Sequence, residues 1–159
     1  MSKRTAILLG MAAGLAWAVA LLVLGGTRGG FAPPAIAFPG AVFAPGLVMI
    51  LMIGRLAQRR FFDDTVIDGE AFPPGSPGWV DQRVLANTVE QAVLAGLIWP
   101  FAALTLGGQV VLYLGFGFAI ARLAFWYGYH RAPPLRAFGF AATFYPTVLV
   151  AVWTLVAWM

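Results

Sequence analysis

Five apolar runs, separated by short polar or Gly/Pro-rich stretches, constrain this 159-residue chain more than anything else in it. They extend from about Thr5 to Gly26, Ala41 to Ala57, Arg83 to Thr105, Gln109 to Tyr127 and Leu135 to Met159. A bilayer core demands about 20 consecutive apolar residues of helix, and a helix satisfies its own backbone polar groups there. The runs therefore predict an all-α fold, a polytopic membrane helix bundle. Composition agrees. Apolar residues make up 61% of the chain and charged ones 10%, against about 25% charged in soluble domains.

The same composition excludes several chemistries. With no cysteine there is neither a disulfide framework nor a thiolate metal site, and a single histidine, His130, excludes a multi-histidine zinc site, so no metal is expected. Ser2 and Ser76 are the only serines, one near the terminus and one in a Pro/Gly stretch, which leaves serine-nucleophile catalysis little to stand on.

Lys3 and Arg4 precede the first run, which is too long for a signal-peptide core; the small residues Ala35-Ile36-Ala37 lie too far downstream to be its cleavage site. A retained helix is expected, and Gly10 and Gly14 form a GxxxG pattern on it. A Gly/Pro-rich loop, Gly25 to Gly40, leads to the second run, whose exit carries Arg55, Arg59 and Arg60; the last two are expected to be lipid-facing anchors. Asp63 to Asp81 is the one long polar stretch. Its acidic spacing is not that of a calcium-binding EF-hand loop, so it is expected to be a solvated linker. Pro100 is expected to kink the third span, and His130 to Pro134 to form a loop before the fifth.

In a five-span topology Lys3, Arg4, Arg55, Arg59, Arg60, Arg83, Arg122, Arg131 and Arg136 share one membrane face, and only Arg28 lies across. The positive-inside rule makes that face cytoplasmic, with the N-terminus in and the C-terminus out. The formal charge of +4 then describes a one-sided basic rim rather than a nucleic-acid surface. Trp79, Trp126, Tyr127 and Tyr129 fall at the inner aromatic belt, and Trp99, Trp153 and Trp158 towards the outer one.

Within this frame one stripe is anomalous. Arg83, Asn87 and Glu90 recur at i, i+4 and i+7, on one face of a segment otherwise fit for lipid. Such side chains are costly in hydrocarbon and should face the bundle or a wet cavity. Tyr129 and Arg136 fall at the same depth. Two guanidinium forks for carboxylates, a carboxylate for an ammonium or amide donor, and an amide that does both suit a zwitterionic molecule with extra carboxylates. If that molecule carries a thiol, a nearby guanidinium favours its thiolate.

Arg83-xxx-Asn87-xx-Glu90 on one span, then Ala121-Arg122-Leu123, Gly128-Tyr129 and Arg136, resembles the MAPEG family, membrane-associated proteins in eicosanoid and glutathione metabolism. The resemblance covers about residues 41–159 and sets 1–40 apart as an additional N-terminal transmembrane helix and loop. It implies a MAPEG-like four-helix core plus that helix, a homotrimer in a bacterial inner membrane, and glutathione as co-substrate between neighbouring subunits near the cytoplasmic face. Arg83, Asn87 and Glu90 would hold the peptide with help from Tyr129, and Arg136 would stabilise the thiolate as the catalytic residue. The implied activity is that of a transferase or peroxidase for lipophilic electrophiles. Phe125, where eicosanoid-forming members carry a tyrosine, and Gln91, where they carry an aromatic residue, depart from the pattern and point away from leukotriene-type chemistry.

Each residue also has a structural alternative. Glu90 and Arg122 can form a buried ion pair across two helices, Asn87 an interhelical hydrogen bond, Tyr129 a belt contact and Arg136 a lipid-phosphate contact. The competing function is a non-catalytic lipid-binding or scaffold protein of the same fold.

Overall fold

A computed structural model describes residues 2–28 and 30–159. The element order is α1 (Lys3–Thr27), α2 (Pro34–Phe61), α3 (Pro77–Leu106), α4 (Gly108–Arg131) and α5 (Pro133–Trp158). All five are long and apolar enough to cross a membrane, and no strand occurs among the described residues. Ser2 caps α1 by accepting from the Thr5 amide at 3.2 Å, and Ser76 caps α3 by accepting from the Trp79 amide at 3.2 Å. Pro77 and Pro34 open their helices, where a missing N–H leaves nothing unpaired. Gly107, at φ 100°, makes the turn from α3 into α4, a conformation that a side chain would strain.

Alternating direction brings the starts of α1, α3 and α5 and the ends of α2 and α4 to one end of the bundle. Helix α4 is its centre, packing on α1, α2, α3 and α5. Small residues permit this closeness. Gly115 lies against the Ala41 backbone of α2, Gly117 receives Leu21 of α1, and Gly128 and Gly139 let the backbones of α4 and α5 touch. Gly10 and Gly14 likewise seat α1 on Ala137 and Ala141 of α5, so the GxxxG pattern serves packing within the chain. Leu8, Phe43, Ile50, Leu97 and Leu104 point outward, an apolar surface suited to lipid.

Several expectations are corrected. The Gly/Pro segment is mostly helical: α1 runs to Thr27 and α2 begins at Pro34, with Pro39 and Pro45 inside it, while Gly29 lies outside the described residues. Helix α4 carries the aromatic cluster and His130 through to Arg131, so only Ala132 separates it from α5. Helix α3 begins at Pro77 rather than at about Arg83, and Pro100 lies inside it. Trp99 is no belt residue: it is 1% exposed and donates to Thr147 Oγ1 at 3.3 Å.

The polar connector is exposed along most of its length, as a solvated linker is, but two of its apolar side chains pin it to the helix ends. Val66 and Phe72 are buried with Leu56, and Gly78 leaves room for the Phe72 ring. Arg60 is no lipid anchor, since it donates to the carbonyls of Val66 and Glu70 at 3.0 and 2.8 Å and lies over Phe72. Asp63 accepts from the Thr65 hydroxyl and amide, which hold its carboxyl below the usual range.

Candidate functional site

At the end of the bundle where α1, α3 and α5 begin and α4 ends lies a cavity of about 680 Å³. That is within the range of small-molecule sites, about 300–1,000 Å³. Arg83, Asn87 and Glu90 line it from α3, Phe125 and Tyr129 from α4, Arg136, Ala137 and Phe140 from α5, and Ile7 and Met11 from α1. All five polar residues expected to meet, Arg83, Asn87, Glu90, Tyr129 and Arg136, border this one space.

Helix geometry explains the convergence. The register of α3 puts its three polar residues on one face over two turns. Gly128 and Gly139 let α4 and α5 approach until the Arg136 guanidinium lies 5.1 Å from the Tyr129 ring centroid. Tyr129 meets Phe125 edge-on, at 4.9 Å between centroids. Arg83 is steadied from the other side by Trp79, 4.4 Å from its guanidinium carbon. These cation–ring contacts fix direction without using up the N–H forks.

Arg122 lies behind the cavity wall and is completely buried. Its Nη1 donates to Asn87 Oδ1 at 2.9 Å, its Nη2 reaches the Thr143 hydroxyl and the Gly139 carbonyl, and its guanidinium lies 4.3 Å from the Phe125 ring. Asn87 Nδ2 in turn donates to Glu90 Oε2 at 3.1 Å. The proposed Glu90–Arg122 ion pair is therefore replaced by a relay through Asn87. The Arg59–Asp81 ion pair and the His130–Asp81 hydrogen bond lie instead on Asp81.

Asp81 and Thr143 escaped the sequence reading. Asp81 is not in a linker but in the second turn of α3, 2% exposed, accepting from Arg59 Nε, Trp126 Nε1 and His130 Nε2. Arg59 is thus a clip between α2 and α3 rather than a lipid anchor. The signal was present: Ser76-Pro77 is a helix-start pair, which puts Asp81 inside a helix. Thr143 follows Arg136 by seven residues, two turns along one face, and could have been found by that spacing. Gln91 is buried beside the stripe with its Oε1 unpaired, and no three metal-ligating side chains converge among the described residues.

No curated protein and no solved structure matches the chain. Residues 36–156, about three quarters of the chain, match the MAPEG family, and α1 falls outside the matched stretch. Five membrane-length helices and a match over most of the sequence lead to one conclusion: the chain belongs to the MAPEG family.

Proposed function

We propose that this protein binds glutathione at the cavity and is a membrane glutathione transferase or peroxidase acting on lipophilic electrophiles. The observation that carries the reading is the meeting of Arg83, Asn87, Glu90, Tyr129 and Arg136 around one space. Arg83 offers a two-pronged donor to a peptide carboxylate, and Glu90 accepts the ammonium group. Asn87 keeps one amide hydrogen for the ligand after bonding Glu90. Tyr129 assists, and Arg136 stabilises the thiolate. Residues 41–159 form the glutathione-binding unit, 1–40 an added membrane helix, and the protein works as a homotrimer in a bacterial inner membrane with its basic face cytoplasmic.

A cysteine-type thiol titrates near about 8.5, so making thiolate the main form at pH 7 requires about 2 kcal/mol of differential stabilisation. One guanidinium at about 4 Å supplies on the order of 4 kcal/mol at an effective dielectric of 20. Arg136 alone is therefore sufficient in magnitude. The thiolate then attacks a carbon electrophile arriving laterally from the bilayer. A carbon–sulfur bond forms as the leaving group departs with its electron pair, and no protein nucleophile is needed.

Ultraviolet absorbance of bound thiolate at pH 7, with calorimetry, tests the reading. The parent is expected to show both signals, and Arg136→Ala to lose the thiolate band while binding about 10–100-fold more weakly. Absence of both signals in the parent would remove it. The second reading, a lipid-binding or scaffold protein that keeps the fold without the chemistry, is favoured by Phe125, which presents no hydroxyl to the cavity. Binding of lipid but not glutathione would select it.

A further inference from the structure

The cavity has two chemically different walls, and only one is accounted for by a peptide ligand. Helix α3 supplies Arg83, Asn87 and Glu90, while the facing wall is Ile7 and Met11 of α1 with Ala137 and Phe140 of α5. Helix α1 packs on α4 and α5 and α3 packs on α2, α4 and α5, so the cavity fills the space between α1 and α3. Ile7 and Met11 are one turn apart on α1, beside the Gly10 and Gly14 seam that fixes this helix to α5. Met11 is 38% exposed and so is not committed to the core. Phe140 is 39% exposed and stacks on Phe144, with centroids 5.8 Å apart.

The geometry points to an apolar subsite, built by Ile7 and Met11 of α1 against Ala137 and Phe140, that takes the alkyl or aryl group of the electrophile. Helix α1 is then a working part of the site, although it lies outside the family match. The inference rests on the glutathione reading for the polar wall. Its own content is that α1, a helix outside the family match, supplies Ile7 and Met11 to the wall that meets the apolar group attached to, or about to be attached to, the sulfur. Methionine is flexible and polarizable, so it moulds to alkyl and aryl shapes alike. Met11 at the open edge thus favours breadth over selection of a single substrate.

S-alkyl glutathiones span both walls and need no turnover, so calorimetry with S-methyl-, S-butyl- and S-hexylglutathione isolates this claim. In the parent, affinity is expected to rise about thirtyfold from S-methyl to S-hexyl. That takes about twofold for each of five half-buried methylenes, against about fourfold for a fully buried one. In Ile7→Ser and Met11→Ser the S-hexyl to S-methyl ratio is expected to fall below about tenfold. In Met11→Trp, which fills the subsite, it should fall further, whereas Met11→Leu should retain the parent ratio. An unchanged ratio in all the variants, or an equal fall in Met11→Leu and Met11→Ser, overturns the α1 subsite and leaves the glutathione reading standing. Failure of glutathione and every S-alkyl derivative to bind the parent overturns both.

Discussion

Replacing Asp81 by asparagine keeps the side-chain shape and removes only the charge and one acceptor, which makes Asp81→Asn a sharp test of how α3 is held. The carboxylate accepts from Arg59 Nε at 2.5 Å on one oxygen and from Trp126 Nε1 and His130 Nε2, both at 2.6 Å, on the other. An amide has one oxygen and one NH2 group, and the latter must face either Arg59 or the Trp126–His130 pair. Against Arg59 or Trp126 this sets donor against donor. A hydrogen bond to a charged group is worth about 1.5–3 kcal/mol, but three cannot simply be added. The Arg59 and His130 side chains are 23% and 27% exposed, so water can replace part of what they lose. Trp126 is left with the poorest alternative. The expected loss is about 2–4 kcal/mol, or about 4–16 °C in melting temperature at 2–4 °C per kcal/mol for a chain of this size. Thermal unfolding of purified protein in one detergent, followed by tryptophan fluorescence, measures it. Asp81→Asn melting within about 1 °C of the parent would refute the three-helix clip.

Two other perturbations separate the site from its support. Asn87→Leu removes the neutral partner of a buried guanidinium, so stability should fall by about 1.5–3 kcal/mol rather than the roughly 0.6 of an average interhelical hydrogen bond in a membrane. Glutathione affinity should fall with it, and detergent unfolding plus calorimetry reads both; loss of affinity alone would mean that Arg122 finds another partner. Gly139→Val places new atoms against the Phe125 backbone and should cost about 3 kcal/mol or more as α4 and α5 are forced apart. Gly54→Ala, with open space around its Cα, should unfold within about 1 kcal/mol of the parent. Equal stability of the two glycine variants would contradict the close α4–α5 crossing.

The bundle was legible because hydrocarbon imposes a length and a composition, and both are properties of consecutive residues. The stripe was legible for the same reason: Arg83, Asn87 and Glu90 fall on one face by helix periodicity alone. What sequence reading missed depends on partners distant along the chain. Arg59 and Arg60 look alike at a helix end, yet one meets a carboxylate 22 residues on and the other meets connector carbonyls. Asp81 looked like the end of a polar linker because charge outweighed the Ser76-Pro77 start signal. The start of α2 was placed late because prolines such as Pro39 count as helix breakers in water. A hydrocarbon surround tolerates them, since no solvent competes for the remaining backbone bonds.

Arg122 shows how a side chain with no face on the cavity can still decide what the cavity offers. A guanidinium has donors only, so Asn87 must turn its Oδ1 towards it, and the amide NH2 is then directed at Glu90. One Glu90 oxygen is held by that NH2, leaving the other to accept from a ligand. Reversing Asn87 would set NH2 against a buried guanidinium and oxygen against carboxylate, two repulsive contacts in place of two hydrogen bonds. The buried charge, too costly to be explained by stability alone, thereby fixes the polarity of the α3 wall. Donors at Arg83 and an acceptor at Glu90 then lie along the same helix face, in the order that a zwitterion with a carboxylate at one end and an ammonium at the other can follow.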